Sequence, residues 1–334
     1  MQPSFSGYRN KLWKYSKVSN SYIAQIIGQI NQVTKSCGPV LLYGENINTG
    51  SRIGGLARGL EVNPEGLILN VGNCELTHIG VGFGMMMSGG NAAVFMKQLD
   101  FLLLGLDQIV NTFNYIRAFP PQGGFGSFTI FPIVCDQGYQ GPQSSINASS
   151  DFASIANIDV FCLNGSADAS IVIQEQFVSP GFRVICTSQR LFDTPAFDLQ
   201  LEAYSSDNAV FKYRAGNDVT LICYNFSLRD GVDLAEHLSG AGVQSDLFHV
   251  NFVPGMDISL LTESCARTSK IVLIDDSKSV TKFGDILVRE FQSRALEFTA
   301  LSLGRRGCSA EGYGVAEDRF VLDYEAVRAF VGRI

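Results

Sequence analysis

Short apolar runs alternate with amphipathic stretches along most of this chain. PVLLYGEN, from Pro39, is a compact apolar run closed by a glycine turn, and it predicts a buried strand. Residues 16 to 36 carry apolar side chains at helical spacing behind serine and asparagine cap candidates, which predicts a first helix. GLILNVGN leads into CELTHIGVGFGMMMSGG, a helix whose small residues permit close approach of a neighbour. NAAVFM reads as a strand, residues 100 to 119 as one long amphipathic helix, and FTIFPIVCD as another strand. Glycine- and serine-rich loops cover residues 123–127 and 138–150. ANIDVFCLNG, the helix ADASIVIQEQF and FRVICTSQR complete this series. Such alternation is the pattern of a parallel sheet covered by helices, in which sites form at the carboxyl ends of strands.

A weakly patterned stretch, residues 191–208, precedes a second α/β series. It runs through VTLICYN, the helix GVDLAEHLSGAG, the strand SDLFHVNFV, a turn at Pro254 and Gly255, a helix, then SKIVLIDDS and FGDILVREFQ. The expected fold class is α/β with two domains, residues 1–195 and 205–334.

Composition agrees with this picture. Of 334 residues, 46% are hydrophobic and 17% charged, and 34 are glycine, which suits parallel strands buried on both faces. A net charge of −7 gives no basic footprint, so nucleic acid is not an expected partner. The eight cysteines show no two-residue spacing of the metal or redox kind and read as reduced core thiols. The first residues, MQPSFSGYRNKLWKYSK, lack an apolar core segment, and no run reaches the roughly 18 apolar residues of a membrane span. A cytoplasmic protein with no membrane partner is the expectation.

Four segments carry candidate chemistry: GENINTG from Gly44, VGNCELTHIGVGFGMMMSGG around Glu75, FMKQLDFLLLGLDQIVN over residues 95–111, and TKFGDI from Thr281. Together they resemble the β subunit of thiamin-diphosphate-dependent 2-oxo acid dehydrogenases, which is equivalent to the C-terminal half of transketolase. The resemblance implies a parallel-sheet pyrimidine-binding domain followed by a transketolase C-terminal-like domain, with Pro254 and Asp257 in the family's turn. Lys282-Phe283-Gly284 stands where a glycine pair is more usual.

The resemblance also implies roles. Glu75 would contact the aminopyrimidine ring of thiamin diphosphate and act catalytically, although a glutamate in a helix's first turn also complements the helix dipole. Phe101, 26 residues later, would stack on that ring; the plain alternative is a core phenylalanine. Asp107-Gln108-Ile109-Val110-Asn111 matches the family closely. Glu45 would help link the two halves of the site, or simply end a strand. His78, one turn from Glu75, is a candidate for facing substrate, whereas His237 and His249 read as ordinary second-domain histidines. Ile133 matches a backbone ligand of a monovalent cation, but the other ligands do not carry over, and no metal ligands are assigned to this chain.

Two departures shape the functional reading. Many family members place a histidine in the loop that here reads DQGYQGPQSSIN, where Gln143 or Ser144 stands instead. Gln143, Ser144 and Ser145 can hydrogen-bond a hydroxylated substrate, but none shuttles protons near neutral pH, so lipoyl-dependent acyl transfer does not follow. The Gly-Asp-Gly motif that anchors Mg²⁺ and the diphosphate is absent. An α-type partner should supply those ligands, in an α2β2 assembly active only when complete.

The leading expectation is the β-type subunit of a heteromeric thiamin-diphosphate enzyme that cleaves the bond next to a carbonyl of a small molecule, by 2-oxo acid decarboxylation or ketol cleavage, and transfers the resulting unit. Two alternatives stand beside it: the C-terminal half of a split transketolase acting on sugars or sugar phosphates, and a noncatalytic assembly or regulatory subunit. Retention of both Glu75 and Phe101 argues against the last.

Overall fold

A computed structural model describes residues 21–136, 146–305 and 320–332. Helix α1 (Tyr22–Ser36) begins where Ser21 accepts a hydrogen bond from the Ala24 N–H. Strands β1 (Val40–Gly44) and β2 (Leu67–Asn70) follow, then α2 (Glu75–Met87), β3 (Asn91–Met96), α3 (Phe113–Ala118) and β4 (Ser127–Val134). Next come α4 (Ser149–Ala156), β5 (Asp159–Cys162), α5 (Ser166–Gln176) and β6 (Gly181–Ser188). These six strands form one wholly parallel sheet in the order β2-β1-β3-β4-β6-β5. A parallel sheet puts every strand's carboxyl end on one edge, so the segments after β1, β2 and β3 are gathered by topology alone.

The second sheet is built from β7 (Ala203–Tyr204), β8 (Val210–Arg214), β9 (Val219–Tyr224), β10 (Ser245–Val250), β11 (Lys270–Asp275) and β12 (Thr299–Gly304). Its order is β12-β11-β9-β10-β8-β7, with β8 antiparallel to β10 and β7 antiparallel to β8. Helices α6 (Leu228–Gly240), α7 (Ser259–Thr268), α8 (Phe283–Ser293) and α9 (Tyr324–Val331) accompany it. Among the described residues no helix is long and apolar enough to cross a membrane. Five of the seven described cysteines are buried and all seven are unpaired.

Residues 99–118 depart from the expected single helix. Leu99–Gly105 form a 3₁₀ helix and Gln108–Thr112 a π turn before α3 begins. The buried positions explain the break. Leu99, Leu102 and Gly105 are three residues apart, and only a three-residue turn places them on one face. Ile109, Phe113 and Ile116 then continue at spacings of four and three residues.

Helix α2 is seated on the sheet by its glycines. A Cβ at Gly82 would lie 2.1 Å from the Phe128 ring, so only glycine leaves that ring its place. Phe128, Phe83, Phe113 and Phe182 stack there with centroids 4.9 to 5.4 Å apart.

Between the two sheets lies a buried polar layer. Asn225, just past β9, donates to Asn147 and to Asp276, each at 2.8 Å, and accepts from the Ser149 hydroxyl. Asn164 donates to the Asn225 carbonyl at 2.8 Å. Arg190 spans Asp136 and Asp276, at 3.6 and 3.2 Å. Burial, aided by Asp276, pushes the Asp136 carboxyl up to about 6 against the pull of Arg190.

Asp230, in the first turn of α6, is pushed up to about 6 by burial and by Asp276, against Arg190. Between about pH 4 and 6 the unfolded chain therefore releases this proton first, and the contribution of Asp230 to stability falls as pH rises. Asp230→Asn should be more stable than wild type by roughly 1–3 kcal/mol above pH 6, with the gap closing towards pH 4. Urea midpoints of both proteins at pH 4.5 and 7 check this. The difference is the proper readout, because buried His249, whose pKa burial lowers, acts in the opposite sense below about pH 6.5 in both proteins.

Candidate active site

Strand β1 ends at Gly44, where a Cβ would sit 2.4 Å from the Phe95 carbonyl oxygen of β3. This close approach fixes the start of the next turn. Glu45 follows, half-buried, and then Asn46 at φ 56°, a left-handed position that asparagine tolerates. The Asn73 amide, with its NH₂ turned towards Glu45, donates to both carboxylate oxygens at 3.0 and 3.2 Å. The turn after β1 is thereby joined to the turn after β2.

Glu75 opens α2 immediately beyond that second turn. It is half-buried, and its carboxylate makes no hydrogen bond or ion pair among the described residues. Just before it, the exposed Cys74 sulfur lies 2.9 Å from the Thr77 hydroxyl, and bonds from that hydroxyl and the Thr77 backbone lower its pKa.

Phe101 reaches the same edge from β3. Its segment is held against α2 at Gly105, where a Cβ would meet Ile79 at 2.6 Å and the Glu75 carbonyl oxygen at 3.5 Å. The Gln108 side chain lies over Gly80 of the same helix, and Asn111 donates to Asp107 at 2.7 Å. Phe101 is partly buried against the core cluster that contains Ile79, Leu99 and Leu102. Gly105, in the Phe101 segment itself, thus lets that segment approach the helix that begins with Glu75.

His78 does not join this group. It is buried, its carbonyl accepts the Tyr43 hydroxyl at 2.5 Å, and it lines a cavity of about 340 Å³ with Tyr43, Cys74 and Thr77 whose walls exclude Glu75. Gln143 and Ser144, with Ser145, lie outside the described residues. His237 rests against Tyr324, and His249 is fully buried with Nε2 2.9 Å from the Cys162 carbonyl. Ile133 is buried within β4.

Two neighbours escaped the sequence reading. Asn73 was signalled only by its place just ahead of Cys74 and Glu75. Asp100, the residue before Phe101, is buried; it accepts from the Ile146 N–H at 3.2 Å, and its second oxygen has no partner among the described residues. Burial raises its pKa. Around the edge, Leu69, Leu76, Val81, Leu103 and Leu104 are 43 to 63% exposed, an apolar surface of the kind that marks an interaction face.

No protein-family model matches the chain. It is 19% identical over 248 residues to the mitochondrial pyruvate dehydrogenase E1 component subunit beta of Dictyostelium discoideum, covering 71% of this chain and 67% of that one. The subunit of the same name from Rhizobium meliloti is 20% identical over 66% of this chain, and the match spans only 48% of the relative's own length. The Staphylococcus aureus subunit is 19% identical, covering 80% of this chain and 82% of its own. Among solved structures, a split-gene transketolase described as an inactive beta4 tetramer superposes with a TM-score of 0.62 at 15% identity, covering 93% of this chain and 97% of that one. Transketolase from Campylobacter jejuni superposes with a TM-score of 0.64 at 11% identity, covering 86% of this chain and 42% of its own.

Proposed function

We propose that this chain, transketolase-like in fold and similar in sequence to pyruvate dehydrogenase E1 beta subunits, is the β-type subunit of a heteromeric thiamin-diphosphate-dependent enzyme. It cleaves the bond next to a carbonyl of a small molecule and transfers the resulting unit. The observation that carries this reading is the meeting of Glu45, Glu75 and Phe101 on one sheet edge, with Gly105 packed against Ile79 of the helix that Glu75 opens.

These residues fit the ring end of the cofactor. Glu75 offers a half-buried carboxyl with no bond inside the chain, and Phe101 a partly buried aromatic ring. When bound, thiamin diphosphate supplies a carbon nucleophile that attacks the substrate carbonyl and lets the adjacent bond break. Glu75 would hold a proton at the aminopyrimidine ring nitrogen and so favour the form of the ring that acts as base. Phe101 would orient the ring by stacking, and Glu45, steadied by Asn73, would face the partner chain. Enclosure by that partner would exclude water from around Glu75 and the ring.

With no Gly-Asp-Gly motif in the sequence, the proposal assigns Mg²⁺ and the diphosphate to an α-type partner, in an α2β2 assembly. The exposed leucines and Val81 near Glu75 support a partner on this face. A split-transketolase reading, with sugar or sugar phosphate substrates, is favoured by the near-complete superposition on a split-gene transketolase chain. Screening 2-oxo acids against ketoses on the assembled enzyme separates the two.

Calorimetry with thiamin diphosphate and Mg²⁺ tests the shared site. Binding is expected for the complex and not for this chain alone; tight binding by the isolated chain would refute it. Phe101→Ala in the complex should weaken cofactor affinity roughly tenfold or more, from a lost stacking interaction of about 1–3 kcal/mol, and an unchanged isotherm would remove Phe101 from the site.

A further inference from the structure

The amino edge of the first sheet, opposite the edge that carries Glu75 and Phe101, holds a second concave site. A cavity of about 310 Å³ opens there, with Phe113, Arg117, Asp159, Phe182, Arg183 and Pro254 among its walls. Arg183, two residues into β6, is 2% exposed. Its Nη2 donates to the Pro180 carbonyl at 2.8 Å, while Nε and Nη1 have no hydrogen-bond partner among the described residues. Burial lowers its pKa to about 10, so it is still a cation at neutral pH. A buried guanidinium bonded through one nitrogen is costly, and an anion is what completes it.

The chain's own candidate does not do so. Asp159 is the register neighbour of Arg183 on β5 and attracts it through space, yet no hydrogen bond or ion pair joins the two side chains, so the free N–H groups stay unbonded. Arg117 stands at the same cavity, exposed, held over the Phe113 ring at 4.7 Å and donating to the Asn157 and Ala156 carbonyls and to the Asn114 side-chain oxygen. Arg183 and Arg117 share this cavity with the Asp159 carboxylate, between the aromatic walls of Phe113 and Phe182, and Asp207 acts on Asp159 from nearby. The cavity also includes Pro254, in the segment after β10, and β5 pairs with that segment through Val160 and Phe252.

We propose that this cavity binds a small hydroxylated oxyanion, a phosphate ester or a carboxylate, with the oxyanion on Arg183 and Arg117 and the hydroxyl donating to Asp159. The site is separate from the proposed cofactor edge and does not depend on that reading.

Calorimetry on the full chain with inorganic phosphate, glycerol 3-phosphate and malate tests it. Saturable binding of at least one probe in the millimolar range or tighter is expected, and preference for glycerol 3-phosphate or for malate identifies the oxyanion. Arg183→Met and Arg117→Met should each weaken binding tenfold or more. Asp159→Asn should tighten inorganic phosphate severalfold by removing a like charge. Arg183→Met should also raise the thermal midpoint of the free protein, because it removes a half-bonded buried cation; if it fails to fold, Arg117→Met decides alone. No saturable binding of any probe at millimolar concentration, or affinities unmoved by the arginine substitutions, overturns the proposal.

Discussion

Glu75→Ala, assembled with the proposed α-type partner, should lose at least about a hundredfold in turnover while assembly is kept and the thermal midpoint falls by no more than about 2–4 °C. The separation of the two effects follows from the environment of the side chain. Glu75 is half-buried, bonds to nothing within the chain, and opens a helix whose attachment to the sheet is made further along, at Gly82 and the aromatic stack beneath it. Removing it forfeits only the favourable placement of a carboxylate at a helix start, about 0.3–1 kcal/mol. Glu75→Gln sharpens the test. The amide can hydrogen-bond the ring nitrogen but cannot exchange a proton there, so cofactor binding should survive while turnover falls nearly as far. Steady-state kinetics beside a melting curve reads both quantities. Full turnover in either variant would end the assigned role, and the noncatalytic-subunit reading would then gain.

Much of this arrangement was legible in the sequence because topology does the gathering. Once apolar strands alternate with helices in a parallel sheet, GEN after β1, the residues ahead of Glu75 after β2, and LDF after β3 must reach the same edge. What stayed hidden depended on distances rather than patterns. Apolar spacing over residues 100–119 suits a helix of some kind, and only the packing of Gly105 against Ile79 shows why its first part tightens into 3₁₀ form. Strands β7 and β8 escaped because β7 has two residues and an exposed tyrosine, too little for an alternation to register. Helix α4 begins Ser-Ser-Asp at the end of what reads as a polar loop. The polar layer was invisible for a related reason: Asn164, Asn225 and Asp276 follow strands, where asparagine and aspartate ordinarily signal exposed turns. Their burial arises from two strand-end regions facing one another.

That layer gives the largest expected effect on stability. Asp276 is fully buried and accepts from the Asn225 amide at 2.8 Å, the Phe226 N–H at 3.0 Å and Arg190 Nη2 at 3.2 Å. Asp276→Ala removes all three acceptor contacts and leaves Arg190 with Asp136 as its remaining ion-pair partner and the Phe226 carbonyl as a hydrogen-bond acceptor, so urea unfolding should show a loss of roughly 3–5 kcal/mol. The cause can be separated from simple loss of packing. Arg190→Met combined with Asp276→Leu and Asp136→Asn removes the buried charges as a set, and it should recover a substantial part of the loss relative to the sum of the three single variants; strict additivity would show that they are uncoupled. A cost below about 1 kcal/mol for Asp276→Ala would mean that water replaces the carboxylate freely, and the layer would then not bind the two sheets together. The consequence reaches the proposed site as well. Arg190 also holds Asp136, which the Ser188 hydroxyl and the Arg190 N–H clasp at 2.5 and 2.9 Å, and Asp136 is the last described residue before the segment bearing Gln143 and Ser144. Loss of Asp276 should therefore lower turnover of the assembled enzyme at temperatures where the chain is still folded, because Arg190, which pairs with Asp136 at this strand end, loses one of its two ion-pair partners.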